Sequence, residues 1–377
     1  MPLQLSDGSG SCVSLTSPNL TSSPDGFALS GGSEVAVCIK YPPPFQDGVS
    51  YGDYLVYAFA KSDYSENDIF DVYEKTQDGD KRIGMIFPLQ AAISRDHKKA
   101  DDIHFLRFSQ GAFMALCNGL NDAYIKRPDA TKAEFSIFDF YSQNTVIAAI
   151  HRPALGSTAN EFDIRDYLAS FMRYGFYLQN PNSNPDSIAN ESSKMFESIR
   201  ARVNIERMSN ELRGMEFIIE LMVNLMPFAD NYLLRFFYLY QVVELLIGIL
   251  LDKSYEEYKK ELSAMAGGAS QIRELLDGLQ EQLSEKRRIS RLFSDCLKPS
   301  IDLAELRRLC NSFLGPLGYI TKAAEEERGV ADFLYPVRNT LFHNLRSVRG
   351  KNMEDFEQIV PAMRTVICDA LIRFSTI

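Results

Sequence analysis

The chain has 377 residues, 45% of them hydrophobic and 24% charged, with a formal net charge of −10. That length exceeds one compact core of ordinary size and predicts two domains, and the composition is that of an ordinary globular protein. The acidic balance excludes adhesion to nucleic acid through bulk charge alone.

The acid excess is uneven. Residues 1–199 hold 16 Lys+Arg against 25 Asp+Glu, and residues 200–377 hold 24 against 25. Basic clusters in the second half can therefore still attract RNA. Six cysteines (Cys12, Cys38, Cys117, Cys296, Cys310 and Cys368) are scattered with no Cys-x-x-Cys pair. This points neither to zinc nor to a disulfide framework and fits a reducing compartment, so a cytoplasmic location is expected. No basic region followed by an apolar core occurs in the first 30 residues, and no signal peptide is expected.

Residues 1–30 are rich in Ser, Gly, Pro and Asn and read as a flexible N-terminal segment. Residues 31–180 read as an α+β domain, mixed and mostly antiparallel. Val35, Val37 and Ile39 alternate, 54–60 is a short apolar run, and further strands are expected at 69–73, 83–89, 103–108, 135–140 and 145–151. One helix is expected near 110–126, and a helical period runs through 163–179. His97 lies in a charged loop, and His104 and His151 fall in expected strands, so structural roles are assigned to all three. Residues 181–194 (PNSNPDSIANESSK) read as a linker.

From 195 to 377 the pattern is helical throughout. Segments near 195–226, 230–252, 254–265, 270–296, 302–318, 322–347 and 353–375 alternate apolar and charged faces, as in an all-α bundle. The most apolar stretch, 214–251, is broken by Glu216, Glu220, Pro227, Asp230, Arg235 and Glu244. It reads as buried core helices rather than a membrane span. Glu244 stands among apolar neighbours and requires a partner, either any basic side chain of the bundle or Arg338. The run Glu285 to Arg291 reads as a solvated helix face or as a phosphate contact.

The stretch YPVRNTLFHNLRSVRGK holds Arg338, Asn339 and His343, followed by Arg346, Arg349 and Lys351. On a helix Asn339 and His343 share a face, and Arg338 lies about 100° away with a side chain long enough to reach it. A guanidinium, an amide and an imidazole near one small anion suit a phosphodiester: the Arg holds charge and the His moves a proton near neutral pH. Pro336 places either the start of this helix or a kink just ahead of the motif. No residue pair shows metal-ligand spacing, and no metal or cofactor is expected.

The run Arg-Asn-x-x-x-His in a C-terminal helical region resembles the signature of the HEPN superfamily, which includes many metal-independent ribonucleases. The run Tyr240 to Glu244 is similar to an earlier helix of defence-associated members. The resemblance covers roughly 200–377 and implies a C-terminal HEPN-like bundle with Arg338, Asn339, His343 and Glu244 as catalytic residues. Arg346, Arg349, Lys351 and Tyr240 would contact RNA. It further implies a homodimer through the bundle and a conditional endoribonuclease of defence or toxin–antitoxin type. A trigger or antitoxin partner would then act on the N-terminal domain. A catalytically silent HEPN module for dimerisation or nucleotide binding, or a plain helical scaffold, stands as the alternative.

Overall fold

A computed structural model describes residues 3–6, 12–15, 19–23, 25–30, 36–61, 64–76, 78–120, 134–180, 202–264, 268–296, 301–319, 329, 331–348 and 350–375. The fold is α+β, a mixed-sheet unit followed by a helical one. The chain divides into two compact units, Met1–Glu206 with Met222–Phe228 and Arg207–Leu221 with Ala229–Ile377. The linker expected at 181–194 lies outside the described residues.

Residues 1–30, expected as loop, carry four strands. β1 (Leu3–Ser6) pairs antiparallel with β2 (Cys12–Leu15). β3 (Asn19–Ser23) and β4 (Gly26–Ser30) form an antiparallel three-stranded sheet with β5 (Ala36–Lys40). Polar composition misleads here because half of each strand faces away from the core: Phe27 and Leu29 are buried while Ser30 is exposed.

The main sheet contains β6 (Tyr54–Ala60), β7 (Phe70–Thr76), β8 (Gly79–Pro88), β9 (Thr145–His151), β10 (Tyr177–Leu178) and β11 (Arg202–Ile205). Their order is β10-β6-β9-β8-β7-β11, antiparallel except for the β11–β7 pair. Period-two alternation divides β9 between two cores. Ile147 and Ala149 join one cluster, and Val146, Ala148 and Ile150 join the other.

Helices α1 (Leu89–Ile93), α2 (Ile103–Asn118), α3 (Arg152–Leu155) and α4 (Leu168–Arg173) complete this unit. The strand expected at 103–108 is instead the first turns of α2, so His104 is helical. Asp102 caps that helix by accepting from the backbone N–H of His104 and Phe105. Gly111 lets α2 settle on β6, because a Cβ there would lie 2.3 Å from the Tyr54 ring. The strand expected at 135–140 is a 3-10 turn at Ile137–Asp139 with a capping box. The helix expected over 163–179 ends at Arg173 and gives way to β10, and part of the one expected over 195–226 is β11.

The helical unit comprises α5 (Glu216–Glu220), α6 (Tyr232–Ala264), α7 (Ala269–Gln282), α8 (Glu285–Cys296), α9 (Ile301–Leu314), α10 (Ala331–His343) and α11 (Lys351–Arg373). α11 packs on α9 and α6, and α10 packs on α8 and α9. α6 is long and apolar enough to cross a membrane by length and composition, with half of its most apolar window buried inside the unit. Phe236, Leu239, Val243 and Leu246 supply that buried stripe.

Candidate active site

α10 carries the Arg-Asn-x-x-x-His run. It begins at Ala331, and Pro336 lies inside it. A helix start at Pro336 is therefore ruled out, and Arg338 and Asn339 sit in mid-helix, away from the positive end of its dipole. Pro336 lacks the N–H that would bond the carbonyl of Asp332. Its own carbonyl is met by Thr340 Oγ1, which donates at 2.8 Å.

Arg338 is the hub. Its Nη1 donates to Asn339 Oδ1 at 3.1 Å, and its Nη2 points to Glu244 Oε1 at 3.5 Å, the outer limit of a hydrogen bond. The guanidinium carbon lies 5.6 Å from the Tyr240 ring centre and 5.4 Å from that of Phe342, within cation–π range of both. Its Nε is buried and has no hydrogen-bond partner among the described residues. The Arg338 side chain is 23% exposed and that of Glu244 37%. Glu244 is thus half-open to solvent rather than buried as its apolar neighbours imply. A pair so exposed is worth at most about 1 kcal/mol.

A second tier holds these groups. Gln241 Nε2 donates to Glu244 Oε2 at 2.8 Å, and the Tyr240 hydroxyl donates to Glu285 Oε1 at 2.7 Å. Burial first, and then the bond to Glu285, push the Tyr240 phenol well above the ordinary tyrosine range, so it remains a neutral donor. Tyr240 was expected among the RNA contacts, but it is 1% exposed. Its ring supports Arg338 instead, because the apolar stripe of α6 turns it inward.

His343 is the last residue of α10 and is exposed, and its imidazole makes no hydrogen bond among the described residues. Beside it Phe342 is 43% exposed and meets the half-open Phe237 ring at 5.8 Å. Leu345, in the turn after α10, is also exposed. Arg346 is exposed in the turn after α10, Arg349 lies outside the described residues, and so does the side chain of Lys351. The basic run of α8 ties helices together: Lys286 Nζ pairs with Asp332 Oδ1 at 2.5 Å, and Arg291 Nη1 donates to Ser254 Oγ at 2.8 Å.

Gln241, Phe342 and Glu285 belong to this arrangement and were not singled out by the sequence. Phe342 had a signal, being four residues after Arg338 on a helix. Glu285 had none, since its partner Tyr240 lies 45 positions away. Among the described residues no group of three or more His, Cys, Asp or Glu is arranged to hold a metal ion. No protein-family model, curated protein or solved structure matches this chain.

Proposed function

We propose that this chain is a HEPN-type endoribonuclease that cleaves single-stranded RNA through attack by the 2′-hydroxyl, with no metal in the step. The observation that carries this reading is Arg338, held between Glu244, Asn339 and two aromatic rings on the helix that ends in an exposed His343. RNA brings its own nucleophile. In the step the 2′-oxygen bonds to phosphorus and loses its proton, while the bond to the 5′-oxygen breaks and that oxygen gains one. His343 takes the first proton or gives the second. Arg338 steadies the added charge on phosphorus, an effect of roughly 3–4 kcal/mol when one such donor is removed. Asn339 and Glu244 hold the guanidinium, and Arg346, Arg349 and Lys351 draw in the RNA backbone.

One protomer offers one His, so the reading includes a homodimer in which two copies of α10 pool their groups. The exposed Phe342 and Leu345 beside His343 support such a contact. The acidic N-terminal unit is the seat of a trigger or antitoxin partner in a cytoplasmic defence or stress response.

Purified protein incubated with total RNA, beside His343→Ala and Arg338→Ala, tests the proposal. Cleavage by the parent and its loss in both folded variants is the expected result; equal cleavage by His343→Ala rejects it. One observation favours a second reading, a silent scaffold: Arg338 Nε is buried and the rest of the fork is already engaged. In that case Arg338→Ala loosens the helical unit, and no RNA is cut by any form.

A further inference from the structure

A separate cluster of reactive side chains lies in the sheet unit, on the face of the main sheet covered by α2, where a pocket of about 260 Å3 opens. α2 contributes His104, Arg107 and Phe108, whose spacing puts them on one helix face. The sheet contributes Tyr54 and His151, directly paired across β6 and β9, and Arg82 from β8.

Arg82 reaches this face through a bulge. β7 pairs Val72 with Gly84 and Tyr73 with Arg82, so Ile83 is an extra residue on β8. Met85 and Phe87 belong to the cluster on the α2 side, and strict alternation from them would send Arg82 to the opposite side. Ile83 instead joins Ile86 in the other cluster, and the reset phase brings Arg82 round to α2.

The pocket has two textures. Its floor is aromatic, with the Tyr54 ring centre 5.3 Å from Phe108 and 5.4 Å from His151. Its rim is polar and exposed, with two guanidinium groups, Arg82 and Arg107, and the imidazole of His104. These donors are lightly used. Arg82 pairs with Asp71 through one nitrogen at 2.8 Å, and Arg107 reaches the backbone oxygen of Asp47 only at 3.5 Å. Among the described residues neither the His104 nor the His151 imidazole makes a hydrogen bond. Burial lowers the His151 pKa from its ordinary value, with Arg107 adding and Asp53 opposing, so at neutral pH it presents an uncharged flat ring. Such a convergence of cations is notable in a half-chain with 25 acidic residues against 16 basic ones.

We propose that this pocket binds a small anion joining a phosphate to a flat ring, of nucleoside monophosphate size, with the ring on the aromatic floor and the phosphate at the Arg82–Arg107 rim. Arginine forks match phosphate oxygens, and a cavity just below the usual ligand-pocket range suits nothing larger than one nucleotide. The assignment stands on the sheet unit alone and does not depend on the ribonuclease reading.

Calorimetric titration of the full chain with the four ribonucleoside 5′-monophosphates, their uncharged nucleosides and inorganic phosphate tests it. At least one monophosphate is expected to bind once per chain, with its nucleoside and inorganic phosphate each at least about tenfold weaker. Arg107→Ala, at an exposed position, is expected to weaken binding about tenfold or more while the melting temperature holds, Arg107→Lys to weaken it less, and Lys98→Ala to leave it unchanged. No saturable binding of any monophosphate up to about 10 mM overturns the assignment, as does equal affinity for nucleoside or for phosphate alone. So does binding that Arg107→Ala leaves undiminished.

Discussion

Arg338 Nη2 stands 3.5 Å from Glu244 Oε1 across 94 residues of sequence, joining α10 to α6. The contact is long and only part-buried, with the Glu244 side chain 37% exposed, which makes it a positioning contact more than a stabilising one. A double-mutant cycle of Arg338→Ala and Glu244→Gln, followed by urea unfolding, is expected to give a coupling of about 0.2–1 kcal/mol. A coupling above about 3 kcal/mol would instead mark a desolvated structural pair.

The chemistry makes its own demand. Cleavage is expected to persist in excess EDTA, to leave 2′,3′-cyclic phosphate or 3′-phosphate ends, and to stop at a 2′-deoxyribose. His343→Ala is expected to lower the rate by about 10²–10⁴-fold, the usual worth of a general acid or base. Because His343 is exposed, stability should change by no more than about 0.5 kcal/mol. Abolition by EDTA, or equal cutting of the deoxy strand, sinks this mechanism.

Assembly can be tested through Phe342, which is 43% exposed on the motif helix. Sedimentation of the parent at micromolar concentration is expected to show a dimer. Phe342→Glu is expected to shift it to a monomer and remove RNA cleavage together, since the charge would be buried in a two-fold contact. A monomeric parent with full activity would contradict the pooled site.

Alkaline stability should carry the mark of Tyr41, buried against Phe113 and Ser109. Burial pushes its pKa up to about 12 from the ordinary 10.0, with the Ser109 contact opposing. A raised folded-state pKa means stability that is fully present below pH 10 and drains away as the pH rises toward 12, where the unfolded chain ionises and the folded one does not. Each such group contributes a slope of up to about 1.4 kcal/mol per pH unit in that window. Urea unfolding at a series of alkaline pH values should show a shallower decline for Tyr41→Phe than for the parent. An identical slope would remove Tyr41 from the account.

Much of the architecture was legible in neighbouring residues. The short apolar run 145–151 marked β9, and the helical periods of 230–252, 254–265 and 353–375 marked α6 and α11, although α6 runs on as one helix where two were expected. The site was legible in part because Arg338, Asn339, Phe342 and His343 lie within two turns of one helix. Short amphipathic runs were not legible. IHFLRF at 103–108 satisfies strand and helix patterns alike, and the cap from Asp102 together with the close seat of Gly111 on Tyr54 made it helix. RVNI at 202–205 became a strand because β7 offered it an edge, a partner more than a hundred residues away.

The sequence by itself determined the α+β class, the strand-rich first half, the helical second half and the local grouping of the Arg-Asn-x-x-x-His run. Only the tertiary structure decided that Tyr240 is buried beneath Arg338, that Pro336 lies within its helix, and that Arg82, Arg107 and His151 meet in one pocket. The physical reason is range. Periodicity is set by side chains a few residues apart, whereas a bulge at Ile83 or a helix crossing that brings Glu244 to Arg338 is selected by the packing of the whole unit, and no local pattern carries it.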